Sequence, residues 1–372
     1  MIQKEVYEIM HGSEKAASLD TRGHCHLYDS RRMPYQLYLE EGSDLDILVN
    51  NITNFYYWCA SRLLTLDRKY AKEILSSIGA SQARTDRDRA QVALSYHCLT
   101  LTDIHWVRKE GEEVSFEEIN LYENHLDNAL IDLSLRGREI TVENSYLISD
   151  NLSTGGCFPK AWLREGDMFI LLKDGAGDCV DDELLASKIC QCFCCRQVKY
   201  EETWYDGQKV SSSRLITSLR YSIVSREAFD VYALNRGLNP LEYILELDSY
   251  SYYMMNILDY LVGNTDRHWG NWGLWVDNST NEPVGLHPVM DFNQVFRAYD
   301  TLEGAVCQTA LPGRMSQREA ALEAVEKAGL NQIKEIDRRW FDGREREYNM
   351  FCARLEVLIQ KHKKKGKIKN DK

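Results

Sequence analysis

Proline is scarce, at 6 among 372 residues, and long apolar runs are absent. Stretches such as residues 168–172 fall far short of the roughly 20 residues that span a bilayer, which excludes a transmembrane helix of the usual kind. No apolar core follows Met1, so a secretory leader is not expected. The sequence has no G-x-S-x-G hydrolase elbow, no helix-turn-helix signal and no internal repeat. Positive charge is also in deficit, with 45 Lys and Arg against 57 Asp and Glu for a net −12. Residues 361–372 hold seven lysines against one aspartate, a local +6, which leaves about −18 for the rest of the chain. An acidic body repels phosphate backbones, so direct nucleic-acid binding is not expected, and the basic end reads as a solvated, disordered tail.

What is present describes a globular protein. Hydrophobic residues make up 44%, enough to exclude disorder as the dominant state, and the length suggests two domains. Cysteines number 11, an odd count that points to free thiols in a reducing, cytoplasmic compartment. Cys190, Cys192, Cys194 and Cys195 are dense, but they fall on a predicted helix that would turn them to several faces, so buried thiols are expected rather than a zinc site. His105 and His287 have no partners at ligand spacing.

Residues 1 to about 50 alternate in short pieces and read as strand-rich, and a helix is predicted over 65–78. A boundary is placed near 137–143. Beyond it come a small-residue loop at 153–160, strands at 160–163 and 168–173, a helix opened by Asp181, Asp182 and Glu183, and strands at 198–200 and 210–213. The longest helix of this part covers 240–262, with Pro240 at its start and a broad apolar face. A glycine-rich connection, a strand at 274–276, a turn at 278–283 and a second strand follow, with Asp291 after them. Helices at 320–328 and 348–360 complete the chain.

Phosphoryl transfer from ATP needs a loop that approaches phosphates, a cation for them, a carboxylate at the acceptor hydroxyl and oxygen ligands for Mg²⁺. Asp266 and Asn271 have the D-x4-N spacing of the protein-kinase catalytic loop, where the Asp takes the hydroxyl proton and the Asn binds metal. A hairpin after Asn271 can return Asp291 beside it, giving two hard oxygen ligands. Lys173 ends an apolar strand, and Glu183 is an opposite charge for its ammonium. Gly155 and Gly156 let backbone N–H groups reach phosphates, and Lys160 adds a second cation. Alone, Asp266 and Asn271 would read as turn residues, Gly155–Gly156 as a plain turn and Glu183 as a helix-end charge; together they read as a site. His268 is more often a loop-bonding residue than an acid or base, and is kept as a candidate.

The loop Ser153-Thr154-Gly155-Gly156-Cys157-Phe158-Pro159-Lys160, the Lys173 strand, the Glu183 helix, the motif Gly263-Asn264-Thr265-Asp266-Arg267-His268-Trp269-Gly270-Asn271 and Asp291 resemble the HipA-like serine/threonine kinases of bacterial toxin–antitoxin systems. The resemblance covers roughly 145–360. It implies an α+β fold, with a bilobal kinase-like core at 141–360 (lobes about 141–235 and 236–360) behind an accessory region at 1–140. It further implies Asp266 as catalytic base, Asn271 and Asp291 as magnesium ligands, Lys173 as the phosphate-binding lysine, Ser153 and Thr154 in the nucleotide loop, and Ser153 as an autophosphorylation site. ATP and Mg²⁺ would be the cofactors, a protein the substrate, and a small DNA-binding antitoxin-like protein a partner. Gly270 and Gly273 depart from the family, which usually has lysine and serine there. The Asp266-Arg267-His268 order also resembles phosphoinositide kinases, which keeps a lipid or small-molecule acceptor open. A non-catalytic nucleotide-binding partner is the other alternative.

Overall fold

In the computed structural model, residues 5–63, 83–124, 160–166, 168–174, 178–205 and 207–370 are described. The helix expected at 65–78 and the boundary expected near 137–143 lie outside the described residues, as do Ser153, Thr154, Gly155 and Gly156.

Three antiparallel sheets and eight α-helices form a mixed α/β structure among the described residues. The first sheet has the order β3-β2-β1-β4, from β1 (Val6–His11), β2 (Glu14–Asp20), β3 (Cys25–Leu27) and β4 (His105–Lys109). Helices α1 (Leu45–Ser61) and α2 (Asp86–Ser95) close its core, where Ile9, Phe55, Trp58 and Trp106 are buried together. A single-turn helix α3 (Phe116–Ile119) follows β4 and adds Phe116 and Ile119 to that core. This matches the strand-rich reading of the first 50 residues.

The second sheet runs β5-β6-β8-β7, from β5 (Lys160–Glu165), β6 (Met168–Lys173), β7 (Glu201–Tyr205) and β8 (Gln208–Arg214). Phe169 of β6 sits in the first core, with Trp162 and Leu215 packed against it. Helix α4 (Cys179–Cys190) joins β6 to β7. It starts before Asp181, so Glu183 lies in its second turn and does not open it. It also ends at Cys190: Cys192 lies in a turn closed by its N–H to the Ile189 carbonyl (2.9 Å) and Phe193 N–H to the Cys190 carbonyl (3.0 Å), and Cys194 and Cys195 follow in a bend, not on a helix as expected. Cys190 and Cys192 are buried, whereas Cys194 is exposed, against the expectation of buried thiols. No group of three or more His, Cys, Asp or Glu among the described residues is placed to hold a metal. The strand expected at 198–200 begins at Glu201 instead, because the Val198 N–H goes to the Val289 carbonyl (2.9 Å) and the Tyr200 N–H to Ser187 Oγ (3.0 Å).

The third sheet, β11-β10-β9, comprises β9 (Tyr221–Ser225), β10 (Gly273–Asp277) and β11 (Glu282–Leu286). Around it pack α5 (Arg226–Leu234), α6 (Pro240–Val262), α7 (Gln317–Ala328) and α8 (Glu345–Asn370). Asn239 caps α6 by accepting from Leu241 N–H (3.1 Å), with Pro240 pre-set for the first turn. Asp248 breaks the helix with φ −154° and ψ 63°, and its carboxylate accepts from Ser251 N–H at 3.1 Å and so recaps the second half. From Ser251 to Val262 α6 is buried on nearly every side, as its apolar run requires.

Tyr35 ties the first region to this core: its hydroxyl donates to the Asn281 carbonyl (2.7 Å) and its ring packs on Tyr232. Helix α8 continues to Asn370, so the basic segment expected to be disordered is helical to that residue. Lysine is a good helix former and favours the negative end of the dipole, and Lys361 bridges to Glu326 at 2.7 Å. No helix among the described residues is long and apolar enough to cross a membrane.

Candidate active site

Lys173 is the last residue of β6, register partner of Lys160 on β5 and of Ser211 on β8. This position leaves the lysine stem in the sheet, and Lys173 is only 8% exposed. A buried charge needs compensation, and two carboxylates provide it. Lys173 Nζ donates to Glu183 Oε1 at 2.8 Å and to Asp291 Oδ1 at 2.9 Å. Glu183 is 1% exposed, and its other oxygen accepts from Ser211 Oγ at 2.5 Å. Burial works against the Lys173 charge, but Asp291 and Glu183 outweigh it and hold the ammonium pKa well above its ordinary value. Burial pushes the Asp291 carboxyl up, and the attraction of Lys173, then of Lys160, reverses that and brings it to about 2.

The loop after α6 is built by its own polar groups. Gly263 ends the helix at φ 61°, and a Cβ there would lie 2.4 Å from the Tyr299 ring, so glycine is required twice over. Asn264 Oδ1 accepts from Asp266 N–H at 3.0 Å, while its amide reaches Asp259 Oδ1 at 3.1 Å and the Asp291 carbonyl at 3.4 Å. Arg267 is 2% exposed and forks onto Asp259 through Nε (2.9 Å) and Nη2 (3.0 Å). Its Nη1 donates to the Asn271 carbonyl at 3.0 Å and also to the Met290 carbonyl. One guanidinium therefore holds Asn271 and the residue before Asp291 together. The Asn271 amide donates to the Asp266 carbonyl at 2.8 Å, so the two D-x4-N residues close one tight loop.

Asp266 is half-buried, and burial raises its carboxyl above the ordinary range, with Asp291 adding to the rise against the pull of His268 and Arg267. His268 is exposed, and its Nδ1 accepts from Gly270 N–H at 3.1 Å, a loop-bonding arrangement. Gly273 lies so close to β9 that a Cβ would sit 2.1 Å from the Val224 carbonyl oxygen, which explains why serine is absent there. Trp272 is buried, and the Arg226 guanidinium lies over the Trp269 and Trp272 rings.

Lys173, Glu183, Asp291, Asn271 and Asp266 are thus brought to one place, with the Lys160 charge felt at Asp291. The Asn271 Oδ1 and the second Asp291 oxygen accept no hydrogen bond from the described residues, and both are the hard oxygen type that suits Mg²⁺. Reading the sequence missed Arg267, Asp259, Asn264, Ser211 and Tyr200. Asn264 and Arg267 stood in the quoted motif without a role of their own, and Asp259 carried a signal as a lone carboxylate inside the apolar half of α6.

No protein-family model matches the chain, and no curated protein matches it by sequence. Solved structures similar to it include a Helicobacter pylori proinflammatory kinase, CtkA, at 15% identity over 56% of this chain and 95% of that one, with a TM-score of 0.40. HipA of Shewanella oneidensis MR-1, solved in a toxin–antitoxin complex with HipB and operator DNA, is similar at 13% identity over 95% of this chain and 91% of that one, with a TM-score of 0.49.

Proposed function

We propose that this protein is an ATP- and Mg²⁺-dependent phosphotransferase acting on a serine or threonine hydroxyl, with a protein as acceptor. The observation that supports this most is the ammonium of Lys173 held between Glu183 and Asp291, at 2.8 and 2.9 Å, beside the Asp266–Asn271 loop. An ordinary structural ion pair needs one carboxylate; here the second belongs to a residue whose other oxygen accepts no hydrogen bond from the described residues.

Lys173 would bind and orient a phosphate oxygen, and Asp266 would take the proton of the acceptor hydroxyl. Asn271 Oδ1 and Asp291 would hold Mg²⁺, which when bound neutralises charge on the transferred phosphoryl group. Loop 153–156 would cover the phosphates, and Ser153 would be an autophosphorylation site. The lobes would be 141–235 and 236–360, with 1–140 as an accessory region and a small DNA-binding protein as a candidate partner.

Incubation with labelled ATP and Mg²⁺ tests the reading. The wild type should place label on Ser153 or a co-expressed protein, and Asp266→Asn should abolish it with folding intact. Undiminished labelling by Asp266→Asn would refute the base assignment. ATP binding without any labelling would favour a regulatory partner, and label on lipid alone a lipid kinase.

A further inference from the structure

Tyr200 touches Lys173, the Asp291 backbone and the helix that carries Glu183, although it belongs to none of the motifs that point to phosphoryl transfer. It is 6% exposed and lies in the segment that carries the chain from α4 to β7. Its hydroxyl oxygen accepts the Asp291 backbone N–H at 3.0 Å. Its ring faces the Lys173 ammonium, with Nζ 5.0 Å from the centroid. Its own N–H donates to Ser187 Oγ at 3.0 Å, one turn beyond Glu183 on α4. Just upstream the same segment is zipped to Val289, with Val198 N–H to the Val289 carbonyl and Val289 N–H to the Arg196 carbonyl, each 2.9 Å.

Asp291 has φ 63°, a left-handed backbone that side-chain-bearing residues adopt at a cost unless the surroundings fix it. A buried N–H in that conformation needs an acceptor, and the Tyr200 hydroxyl is the one it finds. We propose that Tyr200 is a positioning residue: its hydroxyl fixes Asp291 in the conformation that presents the free carboxylate oxygen to metal, while its ring steadies Lys173. The metal role rests on the phosphotransferase reading above; the hold on the Asp291 backbone does not.

Tyr200→Phe removes the acceptor and keeps the ring. In nucleotide-free protein, amide hydrogen exchange at Asp291 is measured relative to the buried α6 residue Ile257, so that any global loss of stability cancels. The expected result is that the ratio rises about tenfold, the scale of one lost buried hydrogen bond. In the same variant, the Mg²⁺ concentration that half-maximally tightens binding of a non-hydrolysable ATP analogue should rise about fivefold. Metal-free affinity for the analogue should hold in Tyr200→Phe and fall in Tyr200→Leu, which loses the ring too.

An unchanged exchange ratio would overturn the proposal. So would faster exchange with an unchanged Mg²⁺ midpoint, which would leave Tyr200 a packing residue. If the wild type shows no Mg²⁺-dependent nucleotide binding, the phosphotransferase reading and the metal role fail together, and the exchange ratio still decides whether Tyr200 holds Asp291.

Discussion

Replacing Lys173 with methionine should destabilise the protein at neutral pH and less so in acid. Lys173 is 8% exposed and Glu183 is 1% exposed, so removing the cation strands a buried carboxylate whose remaining donor among the described residues is Ser211. Breaking a buried ion pair from one side costs about 3–5 kcal/mol. Asp291 gives a separate measure: with its pKa at about 2 in the folded protein against about 3.9 unfolded, it contributes about 2–3 kcal/mol at pH 7 by linkage. We therefore expect a loss of about 3 kcal/mol in urea unfolding at pH 7.

The pH dependence separates this account from simple loss of packing. In the wild type the Asp291 pKa is lowered by folding, so its contribution is complete above about pH 5 and disappears as pH falls from about 4 toward 2. In Lys173→Met, Asp291 loses the largest attraction that lowers its carboxyl, and with it most of this pH-dependent stabilisation. The gap between the two proteins should narrow from pH 7 to about pH 3. An equal gap at both pH values, or none at pH 7, would refute the reasoning.

Arg267→Lys should lose about 3 kcal/mol, because an ammonium cannot make the fork onto Asp259 while also bonding the Asn271 and Met290 carbonyls; thermal unfolding measures it. Gly273→Ser should cost about 2 kcal/mol or more by forcing β9 and β10 apart at the Val224 carbonyl, again read by unfolding. In the kcat/KM–pH profile of phosphoryl transfer, activity should fall as acid protonates Asp266. Because burial raises that carboxyl, the acid limb should lie above the ordinary aspartate range, and a limb below it would contradict the assignment.

Local signals were readable in the sequence. The helix Pro240–Val262 matches its predicted bounds, because Asn239, Pro240, an apolar stripe and Gly263 are all written in consecutive residues. The D-x4-N spacing places Asp266 and Asn271 in one loop for the same reason. The Lys173–Asp291 contact spans 118 residues, and the need to compensate a strand-end lysine pointed to Glu183 instead. Tyr200 left no trace, since an aromatic after Val198 looks like any strand residue, and its partner lies 91 residues away. The four cysteines near 190 misled because apolar periodicity has no stop signal there. Glycine and proline are absent, and the turn is fixed by Phe193 bridging to Gln332, a contact made far along the chain.

Calorimetric titration of a non-hydrolysable ATP analogue, with and without Mg²⁺, tests most directly whether these side chains form a nucleotide site. The account predicts saturable binding that Mg²⁺ tightens in the wild type, with the Mg²⁺ effect abolished in Asp291→Asn. No binding, or binding indifferent to Mg²⁺ in both proteins, would contradict it.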